Sequence, residues 1–125
     1  MTEQQPVVLV VDDNLLVRSM VEATLRRKYS VRAAASVEEA LERCREATPD
    51  LVLLDVHLAG GESGLTICNQ IRETVQPAPP IVFLTGDMDP ELAERCQTAG
   101  GRDVLHKPFS PLELLQRIAR LLSPD

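Results

Sequence analysis

Four sets of polar residues have side chains that could do chemistry, and each set follows a predicted strand. These are Asp12-Asp13, Asp55, Thr85 and Lys107. The three carboxylates supply oxygen ligands, which suit Mg²⁺ because this ion prefers oxygen and keeps several of its waters. Soft-metal chemistry is disfavoured, since no closely spaced pair of cysteines or histidines accompanies the acids. These residue types therefore favour the handling of a hard cation and a phosphoryl group.

The stretches before these residues predict the strands that must position them. They are Pro6–Val11, Leu51–Leu54, Ile81–Leu84 and the less apolar Asp103–His106. Short apolar runs are typical of strands that are covered on both faces of a parallel sheet. The carboxyl ends of parallel strands meet at one edge of the sheet, where ligands of open α/β sheets bind. We therefore expect the polar residues to converge there, and crowding to raise at least one carboxyl pKa unless a cation neutralises the acids.

Helical patterns alternate with the predicted strands along the chain. Residues that favour helix N-termini are Asn14, Ser36, Asp89-Pro90 and Ser110-Pro111. Together with a partly exposed strand at Tyr29–Ala33, the count is five strands and five helices. This alternation predicts a doubly wound α/β domain with a parallel sheet and helices on both faces. Arg18, Glu22 and Arg26 lie opposite the apolar positions of the first helix, which predicts a solvated face.

The composition favours one ordinary domain. The chain has 125 residues, a net charge of −6 and 44% hydrophobic residues. The acidic balance argues against binding to nucleic acid or to anionic membranes, which requires a basic face. No apolar run approaches a transmembrane length of about 18 residues and no charged leader is present, so we expect a cytoplasmic location. Cys44, Cys68 and Cys96 are widely spaced and odd in number, which predicts reduced structural thiols.

The order of the polar motifs resembles that of a known family. Asp12-Asp13, Asp55, Thr85-Gly86 and Lys107-Pro108-Phe109, each at a predicted strand end, resemble the receiver domain of bacterial two-component response regulators. The resemblance covers residues 6–122 and implies a flavodoxin-like fold, a five-stranded parallel sheet in the order 2-1-3-4-5 with five helices. It also implies that residues 1–125 form a single receiver domain, with no output domain in this chain.

The resemblance implies a role for each site residue. Asp55 would accept a phosphoryl group from a phosphohistidine on a sensor histidine kinase or a histidine phosphotransfer protein. The Lys107 ammonium and the Thr85 hydroxyl would contact the phosphoryl oxygens. Such a domain is not an enzyme acting on separate substrates, because it promotes only its own phosphorylation and dephosphorylation.

The resemblance also implies a cofactor and partners. Asp12, Asp13, Asp55 and the backbone carbonyl of His57 would hold Mg²⁺, which neutralises charge on the transferring phosphoryl group. Phosphorylation would switch binding to a downstream protein partner or an output domain, without direct contact to nucleic acid or membrane. His57 and His106 are otherwise predicted to be loop and strand-edge residues.

Some positions depart from the family pattern. Val104 stands three positions before the lysine, where the family usually has an aromatic residue whose rotamer follows phosphorylation. In the loop after Asp55, Ala59 replaces the commoner proline and Gly60-Gly61 adds a residue. The family pattern further implies a cis peptide bond at Lys107–Pro108.

Two other functions stay open at this point. A small Mg²⁺-dependent phosphohydrolase with an aspartate nucleophile would use similar residues, but it usually carries its acids two residues apart on the first strand and needs a cap domain. A degenerate receiver would act only as a protein-interaction module. Val104 favours this last alternative, whereas the complete set of acids argues against it.

Overall fold

Strands and helices alternate along the chain as predicted. The computed structural model describes residues 5–58, 63–87 and 89–122. The strands are β1 (Val7–Val11), β2 (Ser30–Ala34), β3 (Leu51–Asp55), β4 (Ile81–Thr85) and β5 (Asp103–His106). The helices are α1 (Leu15–Leu25), α2 (Val37–Glu46), α3 (Gly64–Thr74), α4 (Pro90–Thr98) and α5 (Pro111–Leu122). The α/β architecture is therefore confirmed.

The five strands form one parallel sheet in the order β2-β1-β3-β4-β5. Every residue of β3 and β4 is buried, whereas the edge strands β2 and β5 are partly exposed. This difference follows from coverage, because interior strands of a parallel sheet are enclosed on both faces and need apolar side chains throughout. The predicted strand order and the doubly wound arrangement are confirmed.

The hydrophobic core lies on both faces of the sheet. On one face, β-strand side chains pack against α2, α3 and α4, and on the other they pack against α1 and α5. Cys44, Cys68 and Cys96 belong to the first of these layers and are buried free thiols, as predicted. Burial raises the pKa of each thiol, which favours the neutral, unreactive form.

Side-chain caps determine where the helices begin, just beyond the ends of the strands. Asn14 accepts hydrogen bonds from Leu16 N and Val17 N at the start of α1, at 2.8 and 3.3 Å. The predicted caps at Ser36, Asp89 and Ser110 are likewise confirmed. Ser63 caps α3 through the Leu65 N–H, a cap that the sequence pattern did not single out.

A glycine follows the end of α4. Gly100 has a positive φ of 105°, a conformation that side chains with a Cβ rarely adopt. None of the helices in the described part of the chain is long and apolar enough to span a membrane.

Candidate functional site

The predicted site residues converge at the carboxyl edge of the sheet. The carboxylate oxygens of Asp12, Asp13 and Asp55 lie within 4.8 Å of one another. Lys107 Nζ lies 2.8 Å from Asp12 Oδ2 and 3.5 Å from Asp55 Oδ2. Thr85 ends the neighbouring strand, and its carbonyl oxygen accepts the Lys107 N–H at 2.8 Å. The chain thus brings the three acids and the Lys107 ammonium together, and it places Thr85 at the end of the strand beside β3.

Asp12 is fully buried, and its backbone and one carboxylate oxygen are hydrogen-bonded. Its N–H donates to the Ala34 carbonyl at 3.1 Å, and its Oδ1 accepts the Asn14 N–H at 2.9 Å. Its carbonyl oxygen accepts a hydrogen bond from Arg18 Nη1 at 2.7 Å. The ion pair with Lys107 completes the set, so both the backbone and the carboxylate of Asp12 are fixed.

The contact from Arg18 corrects one prediction. Glu22 and Arg26 are exposed, as expected for a solvated face, but the prediction is wrong for Arg18. Arg18 is half-buried because its long side chain runs back from α1 to the end of β1, where the guanidinium meets the Asp12 carbonyl. Helical spacing alone carries no information about such a reach beyond the helix.

Asp55 is nearly buried, with 5% of its surface exposed. Burial is the main cause that raises the pKa of its carboxyl group, and the charge of Asp12 raises it further. The Lys107 ammonium and the His57 N–H, which donates to Asp55 Oδ1 at 3.1 Å, offset part of this shift. The expected rise of one carboxyl pKa is therefore found at Asp55.

Lys107 experiences opposing effects. Burial acts to lower the pKa of its ammonium group, but the Asp12 and Asp55 carboxylates together outweigh burial and hold the pKa above its ordinary value. Lys107 therefore stays a cation at neutral pH. Its ammonium supplies a fixed positive charge beside the Asp55 carboxylate.

The acids fit a hard divalent cation. When all three are ionised they outnumber the nearby cations three to two, even counting the Arg18 guanidinium at the Asp12 carbonyl. Among the residues that the structure describes, no hydrogen-bond donor is aligned with the buried Asp12 Oδ2, whose one close partner is the Lys107 ammonium. Asp13 is exposed and can meet a hydrated ion from the solvent side.

The backbone after Asp55 lies close to these acids. The N–H of His57 contacts Asp55, while its side chain is exposed, as is that of His106, in line with the loop and strand-edge predictions. The role of the His57 carbonyl as a metal ligand stays a prediction. A Cβ at Gly64 would overlap the Asp55 carbonyl oxygen, so glycine lets α3 begin directly against the end of β3. The predicted loop variation at residues 59–61 lies outside the described residues.

Thr85 begins a series of hydrogen bonds that leads to α4. The Thr85 Oγ1 accepts the Asp87 N–H at 3.0 Å, and Asp87 Oδ1 accepts the Asp89 N–H at 2.9 Å. Asp89 Oδ1 in turn accepts the Glu91 N–H at 3.0 Å and caps α4. We call these residues, Thr85, Asp87 and Asp89, the β4–α4 ladder. The Thr85 hydroxyl still has a proton to donate, since a hydroxyl is both donor and acceptor.

Two further positions of the family pattern are Val104 and the Lys107–Pro108 peptide bond. Val104 is partly buried and packs against the core layer that contains α4. The Lys107–Pro108 peptide bond is cis, as the resemblance implied.

Known proteins are similar to this chain both in sequence and in fold. The model of the response regulator receiver domain family matches residues 8–119. The transcriptional regulatory protein ResD of Bacillus subtilis is 40% identical over 118 residues, which are 92% of this chain and 47% of ResD. The chain spans about half the length of the curated relatives that it matches.

Solved structures agree with this relationship. The chemotaxis protein CheY4 of Vibrio cholerae is 31% identical with a TM-score of 0.85, over 94% of this chain and 99% of that one. A two-component response regulator from Clostridium difficile is 26% identical with a TM-score of 0.89, over 96% and 98%. The chain belongs to the response regulator receiver domain family.

Proposed function

We propose that Asp55 is a phosphoacceptor that takes a phosphoryl group from a phosphohistidine on a sensor histidine kinase or a histidine phosphotransfer protein. One observation carries this proposal: Asp55 ends β3 with its carboxylate 3.5 Å from the Lys107 ammonium and within 4.8 Å of the Asp12 and Asp13 carboxylates. A carboxylate in this position has a cation beside it and oxygen ligands for a second cation close by. This arrangement suits phosphoryl transfer, in which charge stabilisation and positioning supply most of the catalysis.

The transfer is an in-line displacement at phosphorus. An oxygen of the ionised Asp55 carboxylate forms a P–O bond as the P–N bond to the donor histidine breaks, and the donor ring, which carries a proton on its other nitrogen, leaves as neutral imidazole. Mg²⁺ held by Asp12, Asp13, Asp55 and the His57 carbonyl would neutralise charge on the phosphoryl oxygens. Lys107 supplies a second positive charge, and the Thr85 hydroxyl donates a hydrogen bond to one oxygen.

The new charge gives a mechanism for switching. Phosphorylation adds nearly two negative charges, which draw Lys107 and the Thr85 hydroxyl toward the phosphoryl oxygens. Movement of Thr85 loosens its contact with the Asp87 N–H, the first bond of the β4–α4 ladder. Because Val104 cannot provide an aromatic rotamer change, the ladder offers a route from Asp55 to α4.

The partner that donates the phosphoryl group has a suitable surface beside α1. Leu15 and Leu16 are adjacent and are 65% and 79% exposed, so they offer apolar surface to a partner. Leu16 also lines a cavity of about 410 Å³ whose other walls include Lys107 and Phe109. A phosphohistidine protein seated there would present its phosphoryl group close to Lys107.

We propose that the output is a change of protein partner or of an attached output domain. ResD is named a transcriptional regulatory protein, but in this account the receiver itself touches neither nucleic acid nor membrane. It promotes only its own phosphorylation and dephosphorylation and is not an enzyme acting on other substrates. A cytoplasmic location agrees with such partners and remains a prediction.

Intact-mass spectrometry tests the proposal. The protein is incubated with acetyl phosphate in Mg²⁺ or EDTA, together with Asp55→Asn and, as a matched control, the exposed Glu94→Gln. We expect one phosphate on the wild type and the control in Mg²⁺, and none in EDTA or on Asp55→Asn. Steady phosphate release without an adduct would instead indicate a phosphohydrolase. Absence of both would indicate a protein-interaction module.

A further inference from the structure

We infer that Arg18 is a positioning residue for the metal-binding acids, acting through the peptide bond that joins Asp12 to Asp13. The inference rests on the proposed function, because it concerns the Mg²⁺ site on which phosphoryl transfer depends. Arg18 Nη1 donates to the Asp12 carbonyl oxygen at 2.7 Å, and Arg18 stands six positions after Asp12 in the chain.

The contact acts on the direction of Asp13. The Asp12 carbonyl belongs to the planar unit that ends at the Asp13 Cα, so fixing this carbonyl fixes how the backbone enters Asp13. The Asp12 N–H is held at the same time by the Ala34 carbonyl of the neighbouring strand. The two bonds together leave little rotation at the end of β1.

Asp13 depends on this backbone restraint more than Asp12 does. The Asp12 carboxylate is bound by the Asn14 N–H and paired with Lys107. Within residues 5–58, 63–87 and 89–122, no hydrogen bond or ion pair to the exposed Asp13 carboxylate is found. The backbone is therefore what places this carboxylate within 4.8 Å of the other two acids.

Because Arg18 is charged, the direction in which its removal changes Mg²⁺ affinity tests the inference. A guanidinium close to the acids repels Mg²⁺, so an effect of charge alone predicts tighter Mg²⁺ binding after Arg18 is removed. A positioning role predicts weaker binding, because the Asp13 carboxylate loses its defined direction. The two explanations therefore predict opposite changes in the dissociation constant.

Calorimetric titration of Mg²⁺ into the unphosphorylated protein measures this sign without any phosphodonor. We expect Arg18→Ala to weaken Mg²⁺ binding about tenfold, the lower end of the effect of losing one hydrogen bond to a charged donor. Arg26→Ala, which removes an exposed arginine just after the last residue of α1, should leave binding unchanged. Arg18→Lys keeps a cationic donor and should recover part of the loss.

A double-mutant cycle separates positioning from general loss of structure. Because Arg18 acts through Asp13, the variant Arg18→Ala with Asp13→Asn should bind Mg²⁺ about as weakly as Asp13→Asn alone. If Arg18→Ala does not fold, Arg18→Gln, which is too short to span the same distance, takes its place with the same expected loss.

Three results would overturn the inference. The first is equal or tighter Mg²⁺ binding by Arg18→Ala, and the second is full additivity with Asp13→Asn. The third is the absence of Mg²⁺ binding by the wild type, which would also remove the proposed function. In the first two cases the wild type still binds Mg²⁺, so the proposed function stands.

Discussion

Two neighbouring parts of the site are built from different interactions. The acid–lysine cluster, which comprises Asp12, Asp55 and Lys107, joins the ends of three strands through charges that are largely buried. The β4–α4 ladder joins residues only two positions apart through hydrogen bonds to backbone N–H groups, largely in exposed surroundings. One part is assembled by the sheet, and the other forms within a single loop.

This difference indicates that the two parts have different functions. The acid–lysine cluster carries uncompensated negative charge in a buried setting, so it responds strongly to a cation or a phosphoryl group. Each bond of the β4–α4 ladder contributes only about 0.5–1.5 kcal/mol net and can be exchanged at little cost. The chemistry is therefore expected in the rigid, charged part and the conformational response in the weakly bonded part.

Removal of the lysine should have the largest effect on stability. Lys107→Met leaves two ionised carboxylates without their cation, and breaking such a pair costs about 3 kcal/mol, the lower end of the range because Lys107 is partly exposed. Urea unfolding in EDTA measures the loss. The exposed Lys28→Met should change the free energy of unfolding by less than about 0.5 kcal/mol.

A second substitution checks that charge causes this loss. Adding Asp12→Asn to Lys107→Met removes one of the two unpaired charges, so the double variant should be more stable than Lys107→Met alone. If the two losses simply add, the cluster is held by packing rather than by charge, and the contrast with the β4–α4 ladder fails.

The raised pKa of Asp55 predicts a smaller effect that depends on pH. The folded protein holds this proton more tightly than the unfolded chain, so the stability from this group is full below the ordinary pKa of 3.8. It is lost as the pH rises through the higher pKa of the folded state. Asp55→Asn removes this loss, so in EDTA the variant should gain stability over the wild type across that window and keep the gain at neutral pH.

Urea unfolding of both proteins from about pH 4 to pH 8 measures this difference. A difference that does not change with pH would show that the Asp55 carboxyl is not destabilised by its burial and by Asp12.

Within the β4–α4 ladder, Thr85→Ala should have a local effect. The substitution leaves the Asp87 N–H without its acceptor and should lower the free energy of unfolding by about 1 kcal/mol. Hydrogen exchange at the Asp87 amide should become faster. Thr85→Ser keeps the hydroxyl and should keep the protection of that amide, whereas equal exchange in both variants would contradict the assigned bond.

Loss of the helix cap should have an effect of similar or smaller size, confined to α4. Asp89→Ala removes the acceptor for the Glu91 N–H and should cost about 1 kcal/mol, seen as faster exchange in the first turn of α4. Asp89→Ser, which can still cap, is the control. Because none of the ladder's hydrogen bonds involves the metal-binding acids, Mg²⁺ affinity of the unphosphorylated protein should stay within about twofold of the wild type. A larger change would show that the two parts are already coupled before phosphorylation.

Local spacing was sufficient to predict much of this molecule. Asn14 and Asp89 cap their helices as expected, because a cap depends on residues only two or three positions away. The meeting of Asp12, Asp13 and Asp55 also followed from the sequence, since parallel strands bring their carboxyl ends to one edge.

Contacts between distant side chains could not be predicted in this way. The ion pair of Lys107 with Asp12 and the reach of Arg18 to the Asp12 carbonyl depend on side-chain rotamers and on the depth of burial. Neither the rotamers nor the depth of burial can be read from a repeating pattern in the sequence. The prediction of a solvated face on the first helix was wrong at Arg18 for this reason. Helical spacing shows which residues share a face of the helix, but it does not show which side chains reach the end of the neighbouring strand.

The central claim is that Asp55 itself receives the phosphoryl group, and borohydride trapping tests it most directly. After incubation with acetyl phosphate and Mg²⁺, borohydride reduces an aspartyl phosphate to homoserine, which tandem mass spectrometry locates in the chain. We predict homoserine at position 55 alone, and none when EDTA replaces Mg²⁺. Homoserine at position 12 or 13, or labelling at position 55 that is unaffected by EDTA, would contradict the account.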